Sequence, residues 1–272
     1  MLSFTPQDFI NAWQAQQDFN LFLEKRNLNN ESSNKLGLNQ LSILLKNNIK
    51  PNPLVLYSCI PKQPHASNLQ LTDFKAWLEK NTVGYLPFPD ESIFTIYNHL
   101  VALDGFVLNN YDQLQYLEIT KNGFLEVGHS RQFVWQHETN NRKDNYLFLT
   151  PVIGYELLLL GFIKRFYDFI GYQGEIHFQL SFANFAKFKL QDLFGENHRH
   201  RFWKDERDTN QFNANFKIVE IFKSSDLNDI TIINMVKRHS STIGSCFGLE
   251  KESAFGPNNQ VDAHIFKEHN YC

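Results

Sequence analysis

Apolar positions recur along this chain with two alternating periods, and the changes of period mark its elements. Phe9, Trp13, Phe19, Phe22 and Leu23 follow Thr5–Pro6 at roughly helical spacing, which predicts a first helix out to about Lys25. Thr5 serves as its cap, Pro6 suits the first helical position, Asp8 completes a capping box, and Phe4 and Phe9 stand at staple positions. The polar run Asn27 to Lys35 predicts a loop, and Leu38 to Lys46 a second helix that Pro51 and Pro53 close off. The β-formers of Leu54 to Ile60 predict a short strand, bounded by Pro61 and Pro64. Thr72 to Lys80 predicts a helix that turns Phe74, Trp77 and Leu78 inward, and Glu91 to Leu103 predicts another.

Beyond Leu103 the pattern changes. Leu114 to Thr120 and Gly123 to Gly128 predict a hairpin turning at Asn122–Gly123. Phe133 to Gln136 and Tyr146 to Leu149 are expected to continue it as an antiparallel meander. Val152 to Ile170 is an apolar helix that Gly171 can cap in the left-handed conformation. Glu175 to Phe188 alternates Ile176, Phe178, Leu180 and Phe182 with polar neighbours, as a long strand does. Phe216 to Phe222 predicts a further strand. From Asp226 a last helix sets Ile232, Ile233, Val236 and Ile243 on one face and ends near Gly248.

The fold class that follows is α+β: a helical N-terminal part packed on a mostly antiparallel sheet covered by a buried helix. The extended tract Leu86 to Asp90 divides the chain into a mainly helical part, residues 1–86, and an α+β part, residues 87–272. No internal repeat is present, and no linker is long enough to separate the two parts.

Composition narrows the function classes. The 272 residues can bury a substantial core, and 26 Phe supply large apolar area for it. A net charge of -3 argues against a globally basic nucleic-acid coat. Cys59, Cys246 and Cys272 are odd in number and widely spaced, which argues against a disulfide framework or a cysteine-rich zinc site. Glu156, Lys164, Arg165 and Asp168 interrupt the apolar stretch 152–170, so a helix buried in a protein core is expected there, with no membrane association. The amino terminus carries no basic leader ahead of an apolar run, and the expected location is cytoplasmic.

Certain residues resemble a known family in their order. They are Tyr116-x-Glu118, Gly123-Phe124-Leu125-Glu126-x-Gly128, Phe162-x4-Tyr167-x3-Gly171-Tyr172-x-Gly174, Phe194-Gly195-Glu196 and Phe247-Gly248-Leu249. The pattern, over roughly residues 100–250, resembles the accessory domain that follows a Schlafen-type, AlbA-like nucleic-acid-binding module in bacterial proteins. That module's glycine-rich strand and Leu-Glu-Phe-Lys signature do not occur in this sequence, so its sites do not carry over. The resemblance implies a stand-alone relative of the accessory part, in bacterial regulation or defence, and implies no activity.

Four groups of residues invite chemistry. Arg199, Arg201, Lys204 and Arg207 surround Phe202 and Trp203, the pattern of a single-stranded DNA or RNA site in which cations meet phosphates and rings stack on bases. Glu196, Asp205, Glu206 and Asp208 cancel that charge locally, and a solvated loop is the better reading of the stretch. Glu196, His198 and His200 fall on one face of an extended segment and match the ligand types of zinc or manganese in a metal-dependent hydrolase, although no further ligand is identifiable. His129 precedes Ser130, but adjacent strand residues face opposite sides, so a structural histidine is the better reading. Asp112, Glu118, Lys121 and Glu175 do not match the spacing of a metal nuclease, and Glu118 and Glu126 are expected to form cross-strand pairs with Lys or Arg. No phosphate-binding loop, dinucleotide fingerprint, nucleophile elbow or zinc-protease helix motif occurs. The expectation is a non-catalytic interaction or sensing module with a protein partner and no cofactor. The alternatives are nucleic-acid binding and metal-dependent hydrolysis.

Overall fold

A computed structural model describes residues 53–63, 65, 69–81, 98–102, 105–110, 115–129, 133–139, 142–183, 185, 188–191 and 216–247. The first two expected helices and the boundary at residues 86–87 lie outside these residues.

The described residues form an α+β fold. Its main sheet has seven strands in the order β10-β8-β1-β5-β4-β3-β2, and every pairing in it is antiparallel. The strands are β1 (Leu54–Pro61), β2 (Asn98–Ala102), β3 (Gly105–Asn110), β4 (Gln115–Thr120), β5 (Leu125–His129), β8 (Glu175–Ala183) and β10 (Phe216–Lys223). A second sheet joins β6 (Val134–Thr139), β7 (Arg142–Phe148) and β9 (Phe188–Gln191), in which β7 and β9 run parallel. Three helices complete the set: α1 (Leu71–Asn81), α2 (Leu149–Ile170) and α3 (Asp229–Cys246).

Helix α2 is the core element. Val152, Leu159, Leu160, Ile163, Phe166 and Tyr167 on it are buried against the β1, β5 and β8 residues Val55, Tyr57, Cys59, Val127, Phe178 and Leu180. Each such side chain contributes about 1.5–3 kcal/mol on leaving water. Helix α1 docks on the same core through Trp77, whose ring stacks on Phe169 at 4.9 Å and tilts against Phe162 at 5.4 Å. Strand β1, though it precedes the expected boundary, sits between β5 and β8 in the middle of the main sheet.

The 22 residues of α2 do not make a membrane span: among the described residues no helix is long and apolar enough to cross a bilayer. Gly171 ends α2 with φ 74°, and its N–H donates to the carbonyls of Asp168 and Tyr167, the expected left-handed cap. Asn228 caps α3 through its side chain, which accepts from the N–H groups of Ile230 and Thr231.

Three expectations change. Residues 98–102, expected in a helix, are strand β2, paired with β3 from Asn98↔Asn109 to Ala102↔Gly105. Strands β6 and β7 do not extend the β4–β5 hairpin; they build the second sheet with β9. The expected long strand 175–188 is two strands, β8 in the main sheet and β9, from Phe188, in the other.

Candidate functional site

The polar residues that the fold buries occupy both faces of the main sheet. On the face under α2, His239 of α3 lies between two carboxylates. Its Nδ1 meets Glu156 Oε1 of α2, and its Nε2 lies 3.3 Å from Glu220 Oε1 of β10. Glu156 and His239 are buried, while Glu220 is 25% exposed and also accepts from Arg238 Nη2 at 2.9 Å. The Phe178 ring lies parallel to the imidazole at 5.9 Å. Local sequence explains each placement. Glu156 follows Val152 by four residues on the buried side of α2, and His239 falls between Val236 and Ile243 on the apolar stripe of α3. Glu220 alternates with Val219 and Ile221, so it faces inward while they face out.

Burial favours the uncharged form of Glu156 and raises its pKa, against the pull of His239, which lowers it. Burial also disfavours the charged imidazole of His239, but Glu156 and Glu220 outweigh it, and its pKa lies above the ordinary 6.5. With a carboxylate on each ring nitrogen, His239 has no free nitrogen to take a proton from a substrate.

On the opposite face, Gln179, Ser58, Glu126 and Glu118 stand side by side across β8, β1, β5 and β4. Ser58 Oγ donates to Glu126 Oε2 at 2.6 Å, and both residues are buried. Glu118 and Glu126 therefore stand opposite each other in the β4–β5 register. Among the described residues the nearest imidazole in sequence, His129, three residues beyond Glu126, points to the other side of β5 and does not meet the Ser58–Glu126 pair.

His129 is a core residue, packed edge-on to Tyr155 at 4.3 Å and beside Phe133 at 4.8 Å. Neither ring nitrogen has a hydrogen-bond partner, and burial lowers its pKa to about 3. The structural reading of His129 holds; Ser130 lies outside the described residues. Glu175 pairs with Lys62 at 2.7 Å at the start of β8. Cys59 and Cys246 carry free thiols, and Cys272 is not among the described residues.

The stretch that holds Glu196, His198, His200, Arg199, Arg201, Phe202, Trp203, Lys204 and Arg207 lies outside the described residues, as does Asp112. Among the described residues no group of three His, Cys, Asp or Glu side chains is arranged to hold a metal ion.

Four of the residues behind the family resemblance, Gly123, Tyr167, Gly171 and Tyr172, meet at one junction, while Phe194, Gly195, Glu196, Gly248 and Leu249 lie outside the described residues. Tyr167 donates to the Gly123 carbonyl at 2.8 Å, and Tyr172 donates to the Glu175 carbonyl at 2.8 Å. Gly171 caps α2, and Gly123 turns the β4–β5 hairpin with φ 93°. These residues fasten the hairpin turn and the start of β8 to the end of α2. Sequence reading missed the Glu156–His239–Glu220 cluster; its one local signal was a carboxylate and an imidazole at core positions of two amphipathic helices. No protein-family model, curated protein or solved structure matches the chain.

Proposed function

We propose that this chain is a non-catalytic interaction module of the cytoplasm, working in bacterial regulation or defence, and that it takes an extended segment of a partner protein along β10. The observation that carries the reading is the outward face of that strand. Val219 and Ile221 are 51% and 48% exposed on an edge strand that, among the described residues, pairs with β8 alone. An extended segment that adds to such an edge gains main-chain hydrogen bonds, and apolar side chains beside Val219 and Ile221 supply selectivity.

Charge narrows the partner. Lys217 and Lys223 are exposed and flank the apolar pair on the same face. A second copy paired antiparallel about Glu220 would set Lys217 against Lys223, so the lysines oppose self-association. A partner segment with two apolar positions flanked by acidic ones meets no such repulsion. Selection from a displayed library of random linear peptides tests the reading. Enrichment of alternating apolar and acidic sequences that bind the wild-type chain, and not the Val219→Asp/Ile221→Asp chain, is the expected result. A library that enriches nothing, or peptides that bind both chains alike, contradicts it.

A second reading, single-stranded nucleic-acid binding through Arg199, Arg201, Phe202, Trp203, Lys204 and Arg207, rests on the interleaving of cations and rings in the sequence.

A further inference from the structure

We infer that Glu156, His239 and Glu220 form a proton-held clasp that fastens α3 and β10 onto α2 and opens as the pH rises. This inference does not depend on the identity of any partner.

The geometry of the imidazole carries it. Nδ1 meets a carboxylate oxygen of Glu156 and Nε2 faces a carboxylate oxygen of Glu220 at 3.3 Å. A neutral imidazole has one donor nitrogen and one acceptor nitrogen, so it satisfies only one of these contacts and sets lone pair against lone pair in the other. With one further proton in the cluster both contacts become hydrogen bonds. The proton count is the same whether the Nδ1–Oε1 proton sits on nitrogen or on oxygen.

The three residues come from three separate elements. Glu156 projects from the middle of the core helix and is fully buried, and its other oxygen, Oε2, has no hydrogen-bond partner. Among the described residues the imidazole is therefore the one group that bonds that carboxyl. Glu220 comes from the edge strand and His239 from the last helix, so losing one proton weakens the hold of both on α2.

Among the described residues the charged and titratable groups around the ring are few. Helix α2 presents Glu156, β10 presents Glu220, and β1 presents Tyr57, whose hydroxyl is close enough to feel Glu156 but donates to the Val152 carbonyl at 3.0 Å. Strand β8 offers only the apolar ring of Phe178. Arg238, on α3 itself, donates at 2.9 Å to the same Glu220 Oε1 that faces the imidazole, and it is not among the groups that perturb Glu156. No cation other than the imidazolium lies against Glu156 among the groups that perturb it.

The direction of the response follows from the proton count. The folded cluster binds its proton more tightly than an unfolded imidazole of pKa 6.5 does, so the clasp contributes in full below 6.5. Its contribution is lost as the pH climbs through the raised pKa of the folded state. In the limit of one proton, the opening equilibrium rises by up to about tenfold per pH unit between 6.5 and that raised pKa, and levels off above it.

The test uses the intact wild-type chain and follows two signals from pH 5 to 10. One is the side-chain NMR resonance of His239; the other is the amide protection of α3 and β10 relative to α1. The expected result is a His239 midpoint above 6.5, with α3 and β10 protection falling relative to α1 by up to about tenfold per unit between pH 6.5 and that midpoint and levelling off beyond it. Glu220→Gln, altered at the partly exposed end, should fold and should move the midpoint down, by the loss of one carboxylate from the ring. His239 titrating at or below 6.5 overturns the inference. So does α3 protection that keeps step with α1 from pH 6.5 up to the His239 midpoint, or a Glu220→Gln midpoint unchanged from wild type.

Discussion

Tyr167 donates its hydroxyl hydrogen to the carbonyl oxygen of Gly123 at 2.8 Å, across 44 residues of sequence, and so ties the turn of the β4–β5 hairpin to the last turn of α2. The hydroxyl is buried, which raises the tyrosine pKa well above its ordinary value, chiefly by desolvation. Around it, the turn leaves no room for a side chain: a Cβ on Gly123 would stand 2.5 Å from Pro61 Cγ, and φ is 93°.

Two substitutions separate the parts of that junction. Tyr167→Phe leaves the ring in place and strips the Gly123 carbonyl of its buried donor, at a cost of about 1–3 kcal/mol. Gly123→Ala forces both the backbone and Pro61, at a cost of at least about 1–3 kcal/mol for the left-handed backbone alone. Denaturant unfolding of each variant against wild type checks both values, and a loss below about 0.5 kcal/mol in either would mean the junction does not hold the hairpin.

His129 responds to acid. Its folded pKa of about 3 lies below that of an unfolded imidazole, so the unfolded chain binds a proton that the folded chain refuses. Stability is therefore full above about pH 6.5 and falls by up to about 1.4 kcal/mol for each unit between there and pH 3. His129→Leu removes this proton uptake. Unfolding measured from pH 7 to pH 4 should show a shallower acid loss in the variant than in wild type; equal slopes would show that His129 is not the group refusing the proton.

The elements readable from sequence were those whose own residues fix them. The Phe178–Leu180–Phe182 alternation marks β8, the β-formers of Leu54 to Ile60 mark β1, and Gly171 ends α2 where a left-handed residue is needed. The β2–β3 hairpin was obscured because Leu100, Val101 and Leu103 satisfy a helical spacing as well as an extended one, and pairing with β3 decides between them. The division into two sheets depends on β9 joining β7 in parallel, a contact between segments about forty residues apart that no local pattern encodes. The clasp was hidden for the same reason: Glu156 and His239 are 83 residues apart, and each by itself looks like one polar residue on an apolar helix.

The stretch from Arg199 to Arg207 makes its own prediction. If it holds single-stranded nucleic acid, labelled single-stranded DNA or RNA binds at low salt, weakens steeply with added salt, and is lost on Trp203→Ala. On the leading reading, fluorescence titration at low and at physiological salt shows no binding that Trp203→Ala removes. Salt-sensitive binding lost with Trp203 would put nucleic acid ahead of a protein partner.

The most direct measurement of the central claim is the affinity of a selected linear peptide for wild type, for Ile221→Asp on β10, and for Ile230→Asp at the exposed start of α3. Both isoleucines are exposed, 48% and 72%, so neither change disturbs the core. Docking along β10 predicts that Ile221→Asp weakens binding by about tenfold or more while Ile230→Asp leaves it unchanged. Equal affinity for all three chains, or a loss confined to Ile230→Asp, would contradict it.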